Sequence, residues 1–147
     1  MMKLLLMNGP NLNLLGQREP DVYGTTTLAQ IERDTCAYAR EHGAQMDCFQ
    51  SNHEGALIDK IQMSQGIYDG IVFNPGAYTH YSYAIHDAIT SVTTPVVEIH
   101  ISDISKREAF RSVSVLVDAC IGQVKGLGAQ GYLRAVDLLL EHLGHES

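Results

Sequence analysis

The sequence predicts an α/β fold built on five parallel strands, with helices covering both faces of the sheet. Short apolar runs alternate with segments of helical periodicity along the chain, which is typical of βαβ units joined by right-handed crossovers. The chain has 147 residues, about the length of one domain, and it carries no linker, repeat or low-complexity tract. We therefore expect a single domain over residues 1–147.

The first half of the chain predicts three strands and two helices. The predicted strands are apolar runs at residues 3–7, 45–50 and 68–73. Thr27 and Gln30 form a capping box at the start of the first helix, which ends at Gly43. Ser51 and Glu54 are expected to cap the second helix in the same way.

The second half of the chain predicts the remaining two strands and three helices. In chain order these are a helix at 81–90, a strand at 95–101, a short helix at 106–111, a strand at 119–124 and a closing helix at 129–143. Five such strands are expected to take the flavodoxin-like order 2-1-3-4-5. Ligands bind these sheets beyond the carboxyl ends of the strands where the order reverses, here between the first and third strands.

The composition describes a globular, acidic chain. Hydrophobic residues make up 45% of it, charged residues 18%, and the formal net charge is −7. The lysines and arginines form no run, so neither nucleic acid nor a membrane is an expected partner, and no stretch approaches the roughly 18 apolar residues of a membrane span. Cys36, Cys48 and Cys120 are widely spaced and odd in number, which favours reduced, mostly buried thiols in a cytoplasmic protein.

The fourth predicted strand carries polar residues where a buried strand should be apolar. Glu98 and His100 are two residues apart and so point to the same side, with Ser102 continuing the row. A buried carboxylate needs a partner, and a hydrogen bond between His100 and Glu98 would fix the imidazole tautomer. An oriented imidazole at a strand end suits general acid or base chemistry; a purely structural histidine with its carboxylate is the alternative.

Two further segments carry groups that suit an anionic ligand. Residues 16–24 form a predicted lid bounded by glycines and carrying Arg18 and Tyr23, with an ordinary solvated turn as the alternative. Arg107 and Arg111 are four residues apart and would share one face of the short helix, either in solvent or beside the crevice. Ionising a tyrosine at pH 7 costs about 4 kcal/mol. One arginine at ~4 Å can supply up to roughly that much, so a tyrosinate base is physically reachable.

Two patterns suggest a cofactor or a metal and are discounted. Residues 126–131 fit G-x-G-x-x-G before a helix, but a dinucleotide site needs a following strand and an acidic residue about 20 positions on. The rest of the chain leaves no room for these, so the pattern indicates tight packing of a strand against a helix. A metal cluster could draw on His80, His86, Asp87, Glu98 and His100, yet the spacing of His80 and His86 does not place both on one helical face.

Six motifs in chain order resemble the type II 3-dehydroquinate dehydratases, and the match covers nearly the whole chain. They are Asn-Gly-Pro-Asn-Leu-Asn at 8–13, Arg-Glu-Pro at 18–20 with Tyr-Gly at 23–24, Ser-Asn-His-Glu-Gly at 51–55, Asn-Pro-Gly-Ala-Tyr-Thr-His at 74–80, Glu-Ile-His-Ile-Ser at 98–102, and Gly-Leu-Gly at 126–128 with Gly-Tyr at 131–132. The resemblance implies a flavodoxin-like subunit of a dodecamer of four trimers.

The resemblance also implies a reaction and the residues that perform it. The reaction is an anti elimination of water from 3-dehydroquinate to 3-dehydroshikimate through an enolate, in the shikimate pathway that leads to chorismate and the aromatic amino acids, or in quinate catabolism. No metal or cofactor is implied. Tyr23 would remove the C2 proton with help from Arg18, and Asn11 would hold a water against the enolate oxygen. His100, oriented by Glu98, would protonate the departing C1 hydroxyl.

The remaining implied positions bind the substrate. The carboxylate would be taken by Asn74 with the backbone of Ile101 and Ser102, the ring hydroxyls by His80 and Arg111, while Arg107 would lie near the base and Asp87 would come from a neighbouring subunit. The chain departs from the usual family pattern at residues 81, 83 and 86, at 103, 105 and 109, and at 113, 115 and 117. These departures bear on subunit contacts more than on the chemistry.

Two interpretations from other classes stay open at this point. One is a flavodoxin-like binding module or inactive paralogue that keeps the crevice without turnover. The other is a metal-dependent hydrolase that uses His80, Asp87 and His100.

Overall fold

A five-stranded parallel sheet forms the centre of the protein, with the strand order β2-β1-β3-β4-β5. The computed structural model describes residues 1–17, residue 21 and residues 25–144. Its strands are β1 at Met2–Asn8, β2 at Ala44–Gln50, β3 at Gly70–Asn74, β4 at Val96–His100 and β5 at Gly122–Lys125. The observed order confirms the predicted flavodoxin-like arrangement.

Two helices pack on each face of the sheet. They are α1 at Leu28–Glu41, α2 at Glu54–Ser64, α3 at Tyr83–Thr90 and α4 at Gln130–His142. Alternate residues of β1 point to opposite faces, as a pleated strand requires: Leu4 and Leu6 pack with α1 and α4, whereas Leu5 and Met7 pack with α2 and α3. The central strands are therefore mostly apolar, because both of their faces are buried, and Glu98 and His100 on β4 are exceptions.

The predicted capping of the first two helices is confirmed for one and wrong for the other. At the start of α1, Thr27 accepts from the Gln30 backbone N–H and the Gln30 side chain accepts from that of Thr27. Helix α2 instead begins after His53, which makes no side-chain cap. Ser51 accepts from the His53 N–H, and the Glu54 carboxylate accepts from the hydroxyl of Ser82, which precedes α3. That tertiary contact takes the carboxylate away from a capping role.

The segment after β4 also differs from the prediction of a short helix at 106–111. It forms two 3₁₀ turns, at Ile104–Lys106 and Ala109–Arg111, separated by an extended Arg107. The Asp103 side chain accepts from the Ser105 N–H and so holds the first turn in place. β5 begins at Gly122, three residues later than predicted, because residues 117–119 form another 3₁₀ turn.

The cysteines are less buried than the sequence predicted. Cys36 on α1 and Cys48 on β2 lie with their sulfur atoms 3.5 Å apart, and Cys48 is exposed because β2 is an edge strand. Only partial burial is found for Cys36 and Cys120. Among the described residues, no helix is both long and apolar enough to cross a membrane.

Candidate active site

A cavity of about 240 Å³ lies at the carboxyl ends of β1, β3 and β4. Its position beside the β1–β3 pair, where the strand order reverses, is the one predicted for this fold. Its lining comes from three segments that follow these strands, namely Pro10, Asn11 and Leu12, then Asn74, Gly76, Ala77 and His80, and finally His100, Ile101, Ser102, Ile104, Arg107 and Arg111. Eight of the predicted site residues are therefore brought to one place.

The loops that follow β1 and β3 are pressed together and form one wall of the cavity. The Gly9 N–H donates to the Asn74 carbonyl at 2.8 Å, and a Cβ on Gly9 would lie only 2.6 Å from the Pro75 carbonyl oxygen. Asn11 adopts a left-handed backbone with φ of 70° and donates its N–H to Asn52 Oδ1. Asparagine tolerates this conformation better than most residues, so the turn directs Asn11 toward the cavity.

His100 and Glu98 form the hydrogen-bonded pair that the sequence predicted. His100 Nε2 lies 2.5 Å from Glu98 Oε2, and both side chains are almost wholly buried. A carboxylate oxygen only accepts hydrogen bonds, so Nε2 carries the hydrogen. The other ring nitrogen, Nδ1, is then the one available to a ligand, because His100 lines the cavity.

Two hydroxyl groups complete the surroundings of Glu98. Thr79 donates to Oε2, and Ser114 lies 2.8 and 3.0 Å from the two carboxylate oxygens. Burial pushes the pKa of Glu98 upward, but the hydrogen bonds from His100, Thr79 and Ser114 outweigh it and hold the pKa below its usual value. Glu98 is therefore a buried, ionised carboxylate at neutral pH, and its hydrogen bond fixes the orientation of the His100 ring.

His80 and Arg111 present polar groups at the rim of the cavity. His80 Nδ1 donates to the Val113 carbonyl at 2.8 Å, which leaves Nε2 as an acceptor. Burial lowers the pKa of His80, and the positive charges of Arg111 and Arg107 lower it further. The hydrogen bond to Val113 raises the pKa but does not compensate for these effects. Arg111 is held by Glu108 at 3.1 Å and stacks on the Phe110 ring.

The two arginines reach the cavity for a different reason than predicted. Arg107 and Arg111 both line it, although they do not share one helical face. Arg107 is extended and follows the first 3₁₀ turn, whereas Arg111 ends the second.

The close approach of Gly131 to Ile99 and Val124 supports the predicted strand–helix packing role of the glycine-rich segment.

Four of the predicted site residues do not line the cavity as described, and one of them, Glu98, lies behind His100. Arg18 and Tyr23 lie outside the described residues. Asp87 lies on α3 beside a separate exposed groove, where it contacts His86 at 3.2 Å. The described ranges contain no group of three or more His, Cys, Asp or Glu side chains placed to hold a metal ion.

Four residues of this site were given no role by the sequence analysis, although Asn8, Thr79 and Tyr132 lie within the motifs quoted there. Thr79 and Ser114 hold Glu98, and Tyr132 links Asn74 to Asn8 in the buried layer beneath the cavity. Ser114 carries one signal, since it is a polar residue between valines in a segment that precedes a strand. The long-range partners of the others leave no spacing pattern in the chain.

Comparisons with known proteins agree on one family. A model of the family Dehydroquinase class II matches residues 2–140. A 3-dehydroquinate dehydratase of Anoxybacillus flavithermus is 56% identical over 141 residues, covering 96% of this chain and 95% of that protein. One from Bacillus cytotoxicus is 57% identical over 144 residues, covering 98% and 99%. The crystal structure of a type II dehydroquinase from Butyrivibrio crossotus superimposes with a TM-score of 0.92 at 49% identity, covering 94% and 97%.

Proposed function

The chain belongs to the class II dehydroquinase family, and on that premise we propose that it eliminates water from 3-dehydroquinate to give 3-dehydroshikimate. The observation that carries the proposal is the buried Glu98–His100 pair beneath a cavity lined by arginine, histidine and asparagine side chains. An anionic, polyhydroxylated substrate needs such donors and acceptors. The difficult part of the elimination, departure of a hydroxide, needs an acid that is held ready.

His100 is proposed as that acid. The Glu98 carboxylate accepts from Nε2, so Nδ1 would deliver a proton to the C1 hydroxyl as it leaves. Glu98 favours the protonated ring before the transfer and orients it throughout. The hydroxyls of Thr79 and Ser114 prevent the carboxylate from rotating away. Glu98 thus acts through His100 and has no contact with the cavity itself.

The walls of the cavity are proposed to bind the rest of the substrate. Asn74 and the backbone of Ile101 and Ser102 would take the carboxylate, where an amide N–H suits a charged acceptor. His80 Nε2 is an acceptor for a ring hydroxyl, since Nδ1 is used by Val113. Arg107 and Arg111 supply positive charge at the rim, the latter as a second hydroxyl ligand.

The base is proposed to come from the segment of the chain that precedes α1. Tyr23 would remove the C2 proton as a tyrosinate, Arg18 would stabilise its charge, and Asn11 would hold a water against the enolate oxygen. The cost of about 4 kcal/mol for ionising a tyrosine at pH 7 is within reach of one close arginine. Tyr23→Phe is expected to abolish turnover with little loss of binding, and a near-normal rate would remove Tyr23 from this role.

The assembly is proposed to be a dodecamer of four trimers, located in the cytoplasm and serving the shikimate pathway. Support comes from the exposed groove around Asp87, where Tyr83 is 67% and Val117 43% exposed. Exposed apolar side chains of this kind mark contact surfaces. In such an assembly Asp87 would reach the cavity of a neighbouring subunit, which accounts for its distance from the cavity of its own chain.

The proposed reaction is tested by adding 3-dehydroquinate to the purified, chelator-treated protein. We expect a rise in absorbance from the conjugated enone of the product, and we expect borohydride added with the substrate to leave activity intact, because no lysine Schiff base takes part. His100→Ala should remove turnover while the fold persists. Binding without turnover in the unaltered protein would favour an inactive paralogue, and a rate that returns only with added metal would favour the hydrolase.

A further inference from the structure

A buried chain of hydrogen bonds runs beneath the cavity from β3 through α4 to β1. Asn74 Nδ2 donates to the Tyr132 hydroxyl at 2.9 Å, and that hydroxyl donates to Asn8 Oδ1 at 2.6 Å. Exposure is zero for Asn8 and Tyr132 and 3% for Asn74. Of the three, Asn74 alone lines the cavity. Tyr132 therefore contacts Asn74 beneath the cavity and does not contact a ligand itself.

The direction of this chain is fixed by a backbone group. The Gly76 N–H can only donate, and it lies 3.1 Å from Asn74 Oδ1. The Asn74 oxygen must therefore face Gly76 and its nitrogen must face Tyr132. The Tyr132 oxygen accepts a hydrogen bond from Asn74, and the single hydroxyl hydrogen of Tyr132 is donated to Asn8. Gly76 can hold this position because its φ is +60°, a conformation that other residues rarely adopt.

The fixed direction decides what Asn74 offers to a ligand. One hydrogen of its amide nitrogen is used by Tyr132, and the second remains for the cavity. With the amide reversed, a carbonyl oxygen would meet an incoming carboxylate and repel it. Burial raises the pKa of Tyr132, so the hydroxyl stays neutral at neutral pH and the hydrogen-bond chain keeps its direction.

We propose that Tyr132 is a positioning residue that locks the Asn74 amide with its N–H toward the cavity and so selects a carboxylate-bearing ligand. The inference deepens the proposed function, on which it rests for the identity of the ligand. Asn8 completes the device by taking the Tyr132 hydrogen, which would otherwise compete for the Asn74 oxygen. The Asn8 Nδ2 group has no hydrogen-bond partner among the described residues, so the Asn8 side chain is oriented by the hydrogen bond to its Oδ1 atom.

The test is Tyr132→Phe, which keeps the ring and removes the hydroxyl. Without it the Asn74 amide can reverse, and one hydrogen bond to a charged group is lost, so we expect the KM for 3-dehydroquinate to rise about ten- to hundredfold. The kcat should change little, because the Glu98–His100 pair does not contact Tyr132 and uniform binding is lost equally in ground and transition states.

The matched control is Tyr38→Phe. Tyr38 also carries a hydroxyl that contacts α4, donating to Asp137 at 2.6 Å, but it does not line the cavity. A general loosening of α4 would affect both variants alike. We expect Tyr38→Phe to leave KM and kcat at the values of the unaltered protein.

The preference of the protein for a ligand with a free carboxylate separates positioning of Asn74 from a general structural effect, because loss of stability alone would not change that preference. Quinate and its methyl ester are titrated by calorimetry into both proteins. We expect Tyr132→Phe to reduce the preference for quinate over the ester about ten- to hundredfold. Equal loss for both ligands, or an unchanged preference, would overturn the proposal. These binding data judge Tyr132 even if the unaltered protein fails to turn over 3-dehydroquinate.

A second variant keeps the proposal testable if Tyr132→Phe does not fold. Asn8→Leu removes the acceptor of the Tyr132 hydrogen together with the unpaired Asn8 nitrogen, so its cost to stability is smaller. The freed hydroxyl can then donate to the Asn74 oxygen and favour the reversed amide. A smaller shift of the quinate preference in the same direction is expected, and no shift would overturn the proposal.

Discussion

Replacing Glu98 by Gln removes one charge from the site while keeping its shape. The carboxylate accepts from three side chains, His100, Thr79 and Ser114, and it is wholly buried. A glutamine oxygen can still accept from His100 and Thr79, and its NH₂ can donate to Ser114. Three charge-assisted bonds become neutral ones, each weaker by about 1 kcal/mol, while the cost of burying a charge disappears. We expect a net loss of stability of about 1–2 kcal/mol.

The effect of this substitution on the rate is expected to be larger than its effect on stability. Glutamine cannot stabilise a protonated His100, and general acid catalysis contributes roughly 10²–10⁴-fold. The kcat, measured from product absorbance at saturating substrate, should therefore fall at least about 100-fold. Glu54→Gln is the control, since Glu54 accepts from a serine hydroxyl away from the cavity. A kcat of Glu98→Gln within about threefold of the unaltered protein would refute the role of the pair.

Three further predictions concern stability and the support of Glu98. Gly9→Ala places a Cβ 2.6 Å from a backbone oxygen and should cost roughly 1–3 kcal/mol in urea denaturation, whereas Gly55→Ala, with nothing within 4 Å in a helix, should stabilise by about 0.5–1 kcal/mol. Folding lowers the pKa of His80 and of Glu98, so the unfolded chain takes up protons at a higher pH than the folded protein does. Thermal stability should therefore fall as the pH drops below 6.5 and again below 4.5, the ordinary pKa values of these groups. A shallower loss of stability below pH 4.5 in Glu98→Gln would support the assignment, and an unchanged slope would contradict it. Ser114→Ala should lower kcat severalfold, less than Glu98→Gln does, and equal activity to the unaltered protein would remove Ser114 from the site.

The sheet and the position of the cavity could be predicted because they depend on local pattern. Strands buried on both faces appear as apolar runs, and their alternation with helices fixes a small number of topologies. Glu98 and His100 stood out because they break that pattern in a buried strand. Their hydrogen bond follows from a spacing of two residues, which the pleat of the strand places on one side.

The remaining features depend on contacts that sequence spacing does not contain. Tyr132 and Asn8 meet across 124 positions of the chain, and Tyr132 and Asn74 across 58. The two 3₁₀ turns after β4 are too short to show a helical period, and Asp103 decides their start through a side-chain bond. Cys36 and Cys48 meet because α1 packs on β2, the strand that follows it. The prediction of buried thiols was wrong because β2 is an edge strand, which leaves Cys48 exposed.

The proposed elimination is anti, and His100 protonates the leaving hydroxyl on the face opposite to the base. A direct test uses 3-dehydroquinate that carries deuterium at one of the two C2 positions, in separate samples, and analyses the product by mass spectrometry. We expect deuterium anti to the C1 hydroxyl to be lost to solvent and deuterium on the same face as the hydroxyl to remain in the product. Loss of the syn deuterium instead would overturn the proposed mechanism.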